Sequence, residues 1–258
     1  MTSPDLVLIE QIGACRLITL NRPEARNALS QALNRQLIDA LAAADTAADT
    51  SVILLAGAGG AFCAGMDLKE LAERGFTGTD KTENCIDRVS NCRTPVIGLI
   101  DGSAVTGGFE LALACDFLIA SENARFADTH SRVGIVPGGG LTARLVEAIG
   151  VRRARQMSGT GQYIDATTAL DWGLVNQVVE SAGLRERGLA IAEAFTATDA
   201  ATLAEVWQLY DAVSRDHIAQ AVDREADINK AWSAQALALV DTTKAVLEHG
   251  RAQNKSAR

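Results

Sequence analysis

Twice in the first half of the chain, an apolar run of strand length gives way to a glycine-bearing turn and then to a stretch that reads as helix. Val52-Ile53-Leu54-Leu55-Ala56 leads through a glycine-rich turn, Gly57 to Gly65, into Met66-Asp67-Leu68-Lys69, which has the character of a helix entry. Val96-Ile97-Gly98-Leu99-Ile100 leads through Asp101-Gly102 and Thr106-Gly107-Gly108 into Phe109-Glu110-Leu111-Ala112-Leu113-Ala114, and Asp116-Phe117-Leu118-Ile119-Ala120 returns as strand. Strands alternating with helices across short connections predict an α/β architecture. Before the first of these units, Val7 to Glu10 and Ala14 to Leu20 flank Gln11-Ile12-Gly13 as a hairpin. Asn21-Arg22-Pro23 ends it, and Ser30 is placed to cap a helix with Leu33, Leu37, Ile38 and Leu41 at helical spacing, running to about Ala48. From about Ala200 the strand signal disappears. Leu203, Val206, Trp207, Leu209, Tyr210 and Val213, then Leu237, Leu239, Val240, Val246 and Leu247, predict a helical tail.

Composition narrows the classes of function. The 258 residues are 48% apolar and 22% charged, which suits one globular domain with or without a helical appendage. The formal charge is −8 and no basic run occurs, so nucleic acid is not an expected partner. A small anionic ligand stays open, because a few amides and cations can hold phosphates on an acidic protein. Met1-Thr2-Ser3-Pro4-Asp5 has no basic segment followed by an apolar one, and no run nears the ~18 apolar residues of a spanning helix, so no membrane association and a cytoplasmic location are expected. Cys15, Cys63, Cys85, Cys92 and Cys115 are scattered and read as buried reduced thiols. With His130, His217 and His249 as the only histidines and no HExxH or His/Cys cluster, no metal site is expected.

Single glycine motifs are poor guides here. Gly57-Ala58-Gly59-Gly60-Ala61-Phe62 nearly satisfies GxGxxG but has Phe62 where a small residue must let helix pack on strand. Gly138-Gly139-Gly140-Leu141-Thr142-Ala143 satisfies GxGxxA but follows Pro137 and lacks the downstream acidic residue of a ribose contact. No GxxxxGK[ST] run exists, and Asp101-Gly102-Ser103-Ala104-Val105 lacks the glycine of a nucleophile elbow. The loops around Gly65 and Gly107-Gly108 share small residues just before helices, which leaves backbone amides free. Two such amides, one per loop, could converge on a carbonyl oxygen and stabilise charge developing there; plain turn chemistry is the alternative.

Four segments in order resemble the crotonase, or enoyl-CoA hydratase/isomerase, superfamily. They are Asn21-Arg22-Pro23-Glu24-Ala25-Arg26-Asn27-Ala28-Leu29, Ala61-Phe62-Cys63-Ala64-Gly65-Met66-Asp67-Leu68, Asp101 through Thr106-Gly107-Gly108-Phe109-Glu110-Leu111, and Phe126-Ala127-Asp128 through Gly134-Ile135-Val136-Pro137-Gly138-Gly139-Gly140. Ala169-Leu170-Asp171-Trp172-Gly173-Leu174-Val175 adds a later landmark. The resemblance implies a spiral of ββα turns over residues 1–199 and a helical trimerisation region over 200–258, assembled as trimers or dimers of trimers. It implies that the N–H groups of Met66 and Gly107 form an oxyanion hole for an acyl-CoA thioester. It further implies substrate-binding positions at Arg26, Ala64, Asp67, Leu68 and Gly108. A helix cap is the alternative role of Asp67, and a solvated charge that of Arg26.

By the same resemblance, Glu110 is the first of two glutamates that hold and activate water. A carboxylate among Phe109, Leu111 and Ala112 is costly unless partnered. The second glutamate position is occupied by His130, a departure from the hydratase pattern. Imidazole can give or take a proton near neutral pH, so His130 can replace the acid, and Asp128 lies close enough in sequence to orient its ring. Thr106 stands where the family commonly has glycine; a β-branched residue tolerates positive φ poorly, so Thr106 is expected to be extended. The expected activity is hydration of a trans-2-enoyl-CoA without metal or redox cofactor, CoA arriving as part of the substrate. Enoyl-CoA isomerisation, another crotonase chemistry, or acyl-CoA binding without turnover are the alternatives. Residues 71–92, polar from Thr77 to Asn84, are expected to form a solvated loop able to cover an acyl chain, and His217 and His249 to lie on the surface.

Overall fold

A computed structural model of the chain describes residues 5–74 and 84–233. The expected segments at Thr77 to Glu83 and Leu237 to Leu247, and His249, lie outside the described residues. Strands β1 (Val7–Ile12) and β2 (Cys15–Leu20) form the antiparallel hairpin, and Ser30 caps α1 (Gln31–Thr46) by accepting from Leu33 N at 3.2 Å. The helix stops two residues before Ala48.

Three successive turns then each add one strand to each of two sheets. They pair β3 (Val52–Gly57) with β4 (Ala61–Cys63), β5 (Val96–Ile100) with β6 (Ser103–Val105), and β7 (Phe117–Ser121) with β8 (Arg125–Ala127). The large sheet has order β1-β2-β3-β5-β7-β10, with β10 at Gln177–Val179; the small one has order β4-β6-β8-β9, with β9 at Ile164–Asp165. From β2 to β10 the large sheet is parallel, as are β4, β6 and β8. This is the expected ββα spiral. Strands β4 and β6 fall within stretches read from sequence as turns, because three residues are too few to show a period.

The large sheet is covered on both faces, which is why β3 is an apolar run rather than an alternation. Ile53 and Leu55 pack with Leu33, Leu37 and Leu41 of α1, while Leu54 and Leu99 pack with Leu184 and Ala192 of α9 (Leu184–Thr196). Successive turns stack so closely at their corners that a Cβ on Gly102, φ 67°, would lie 1.9 Å from the Gly60 carbonyl oxygen. All five cysteines are free thiols, and Cys92 alone among them is only half-buried. Helix α3 (Cys85–Ser90) precedes β5, and beyond β8 the chain continues through α6 (Leu141–Ile149), α7 (Val151–Thr160), α8 (Ala166–Trp172) and α9 to α10 (Ala200–Ser233). No helix among the described residues is long and apolar enough to cross a membrane.

Candidate active site

The carboxyl ends of the parallel strands β4, β6 and β8 lie side by side in one sheet, and each runs into a helix: α2 (Leu68–Arg74), α4 (Gly107–Leu113) and α5 (His130–Val133). That edge is where open α/β sheets bind ligands. It brings Met66, Thr106 and His130, distant in sequence, around one cavity of about 100 Å³, whose lining also includes Thr129, Ile135 and Tyr163, with Gly107 just behind Thr106 and outside the lining. Arg26, Ala64 and Leu68 also line it. A larger cavity of about 1310 Å³ lies between α10 and the body of the protein, lined by Cys115, Arg144, Trp207 and Val222, and holds none of those groups.

The loop before α1 is fixed by Asn27, a fully buried residue with φ 56°. Its Nδ2 donates to the carbonyls of Ala58 and Ala61 at 2.9 and 2.8 Å, and its Oδ1 accepts from Arg22 N at 2.8 Å. Arg26, with φ 51°, is held beside it and accepts through its carbonyl from Ala64 N at 3.0 Å. Asn27 was legible only as part of a motif, and its signal is that asparagine tolerates left-handed backbone.

Leu29 bridges Met66 in parallel, Leu29 N donating to Gly65 O at 2.7 Å and Asp67 N to Leu29 O at 3.2 Å. In such a bridge the flanking residues make the bonds, so the N–H of Met66 itself points to the other side. That side faces Gly107: a Cβ built there would lie 3.5 Å from Met66 N. As the first residue of α4, Gly107 has an N–H with no acceptor in its own helix.

Thr106 departs from expectation. It has φ 54° and ψ −117°, not an extended conformation. The surroundings impose this: Thr106 N donates to Ala127 O at 3.1 Å, its carbonyl accepts from Phe109 and Glu110 N at 2.9 Å each, and its hydroxyl pairs with that of Thr129 at 2.6 Å. These bonds outweigh a backbone cost of about 1–3 kcal/mol and turn Gly107 toward Met66. Gly108 is not at the cavity; its missing side chain admits the Cys63 carbonyl oxygen, which a Cβ would meet at 2.1 Å.

Asp67 also lies away from the cavity. It is buried, forms an ion pair with Arg22 at 2.6 Å, and caps α2 by accepting from Lys69 N at 3.0 Å and Glu70 N at 3.3 Å. Burial alone would raise its pKa, but Arg22 and those amides hold it below the usual carboxylate range.

Glu110 is buried in the first turns of α4, just beyond His130 and not among the residues lining the cavity. Its Oε1 accepts from Gly139 N at 2.8 Å and Gly138 N at 3.3 Å. The glycine run that fails as a dinucleotide motif therefore serves as a carboxylate cradle, and a Cβ on Gly139 would lie 3.0 Å from that carboxyl group. Its Oε2 lies 3.7 Å from His130 Nε2, while His130 Nδ1 lies 2.7 Å from Asp128 Oδ1. The 3.7 Å gap is too long for a direct hydrogen bond and short enough for one water oxygen to touch both groups. Burial pulls the imidazolium pKa down, but the Glu110 charge and the Asp128 hydrogen bond outweigh it and raise the value to about 9. His130 is thus held as a cation between two carboxylates, able to release a proton into the cavity.

The chain matches the model of one family, enoyl-CoA hydratase/isomerase, over residues 10–253. A relative from Arabidopsis thaliana, named a probable peroxisomal enoyl-CoA hydratase, is 40% identical over 195 residues, covering 74% of this chain and 73% of the relative. The 2,3-dehydroadipyl-CoA hydratase of Escherichia coli is 41% identical over 178 residues, covering 68% and 70%. The crystal structure of an enoyl-CoA hydratase from Mycobacterium tuberculosis superposes with a TM-score of 0.82 at 43% identity, covering 89% of this chain and all of that one. Sequence and architecture agree across nearly the whole length, and the chain belongs to the enoyl-CoA hydratase/isomerase family.

Proposed function

We propose that the protein is an enoyl-CoA hydratase in which Glu110 and His130 carry out the proton transfers. The observation that carries this reading is the pair Glu110 Oε2 and His130 Nε2, 3.7 Å apart at the end of a small cavity, one group placed to accept a proton and the other to give one. The named hydratases above support the substrate class.

In the proposed reaction the thioester oxygen rests on the N–H groups of Met66 and Gly107. Glu110 takes a proton from water as its oxygen bonds to the β-carbon, and the double-bond electrons move to the thioester oxygen as an enolate. The two amides stabilise that charge, and losing one such donor costs about 3–4 kcal/mol in the barrier. Protonated His130 then gives its proton to the α-carbon, and the thioester carbonyl re-forms. Glu110 returns its proton to His130, leaving one water added and both groups in their starting states. Asp128 keeps Nδ1 protonated and Nε2 facing the reaction, the usual task of a carboxylate behind a catalytic imidazole.

The reaction draws its activation from the thioester and the amides, with no metal or redox group, and CoA enters with the substrate. Arg26, exposed at the cavity, together with Ala64 and Leu68, fits contact with the CoA moiety. Exposed Leu209, Tyr210 and Ile228 on α10 support assembly into a homotrimer or dimer of trimers. A cytoplasmic location fits the bacterial relatives. The test is loss of enoyl absorbance with crotonyl-CoA and with a longer trans-2-enoyl-CoA. Hydration of either supports the reading; binding of both without hydration overturns it in favour of another crotonase chemistry or of binding alone.

A further inference from the structure

Helix α10 reaches the reacting groups without lining their cavity. Glu225, buried on its inner side, accepts from three donors of one short segment: Gly140 N at 2.5 Å, Thr142 N at 2.7 Å, and the Thr142 hydroxyl. One and two turns further along the same face, Asn229 donates to the Val136 carbonyl and Trp232 Nε1 donates to the Gly134 carbonyl at 2.8 Å. Three side chains at helical spacing therefore grip residues 134–142.

That segment is the one that holds Glu110. The Gly139–Gly140 peptide is fixed at both ends, its carbonyl by Arg144 Nη1 at 2.5 Å and its N–H by Glu225. The amide one residue earlier, Gly139 N, is the 2.8 Å donor to Glu110. Gly140 begins α6 in left-handed backbone and has no side chain with which to cap it, so Glu225 supplies the cap from another helix. A buried carboxylate is costly without such partners, and an apolar residue would seat α10 as well. What the carboxylate adds is direction.

We propose that Glu225 is a positioning residue for hydration: by holding Gly140 and Thr142 it sets where the Gly139 amide meets Glu110, and so where the second oxygen of Glu110 points. This rests on the hydratase reading. It makes the docking of α10 a condition for an aligned base rather than only for a stable fold.

The test compares wild type with Glu225→Gln and Glu225→Ala, normalising crotonyl-CoA hydration to sites counted by butyryl-CoA binding. A misplacement of order 1 Å at the base lowers kcat by about 100-fold, and that loss is expected for Glu225→Ala. Glu225→Gln, which keeps one acceptor oxygen, is expected to fall between it and wild type. KM and butyryl-CoA affinity are expected to stay near wild type in both. Hydrogen exchange of the segment 134–142 is expected to quicken while the β-sheet core stays protected. A kcat per binding site within twofold of wild type in Glu225→Gln, with unchanged exchange, overturns the proposal. Should Glu225→Ala fail to fold, Glu225→Gln decides. Should wild type hydrate nothing, the hydratase reading fails by itself, and exchange in Glu225→Gln still decides whether Glu225 holds the Gly139 loop.

Discussion

Asp128 and His130 meet at 2.7 Å, Oδ1 to Nδ1, and that contact decides which face of the imidazole looks at Glu110. Asp128 also accepts from His130 N at 3.1 Å, so two bonds to one carboxylate set both the backbone and the ring of His130. An imidazole turned by a half rotation would present carbon to Glu110; here it presents Nε2.

In the proposed reaction His130 is the proton donor, and its pKa of about 9 places the fall of kcat on the alkaline side, near that value. Asp128→Asn removes the charge that raises this pKa and leaves Nδ1 only a weaker, neutral acceptor, so the alkaline limb moves to lower pH, toward the ordinary imidazole value. Rate profiles of crotonyl-CoA hydration for both proteins check it.

Stability carries the same sign. The folded pKa of His130 lies above its ordinary value of 6.5, so its contribution is complete below about pH 6.5 and is lost as pH rises through about 9. The difference in unfolding free energy between wild type and His130→Gln is therefore largest in mild acid and shrinks in alkali. Urea titrations at several pH values measure it.

Thr106 gives a third prediction, because its strain and its hydroxyl bond oppose each other. Thr106→Val keeps the β-branch in left-handed backbone and loses the bond to Thr129, and is expected to be about 1–2 kcal/mol less stable than wild type. Thr106→Gly loses the bond but relieves the strain, and is expected to stay within about 1 kcal/mol. Equilibrium denaturation of the two variants separates the terms.

Asp67 is predicted to matter for folding more than for substrate. Asp67→Ala leaves Arg22 without its 2.6 Å partner and α2 without its cap, with an expected cost of about 2 kcal/mol. Its KM for crotonyl-CoA is expected to stay within threefold of wild type. Melting curves beside steady-state kinetics test both halves.

Much of this was legible in the residues themselves. The apolar runs at Val52 and Val96, the cap at Ser30 and the hairpin around Gly13 report local preferences, and local preferences survive in the fold. The small sheet was hidden because β4, β6 and β8 are three residues each and are defined by their neighbours rather than by their own pattern. Thr106 misled for the opposite reason: its intrinsic preference is for extended backbone, and bonds to Ala127, Phe109 and Glu110 override it. Glu110 and His130 could be named as candidates from chemistry and resemblance. The Gly138 and Gly139 amides and the Glu225 clamp could not, since contacts spanning 28 to 85 positions leave no trace in local spacing.

The most direct test of the account is the turnover of crotonyl-CoA by wild type, Glu110→Gln and His130→Ala, measured with butyryl-CoA binding as the control for intact sites. Wild type is expected to hydrate crotonyl-CoA, and each variant to lose about 100-fold or more, the scale of removing a positioned acid or base, with butyryl-CoA still bound. Wild-type protein that binds butyryl-CoA yet leaves crotonyl-CoA unchanged, or variants that hydrate it as fast as wild type, would contradict it.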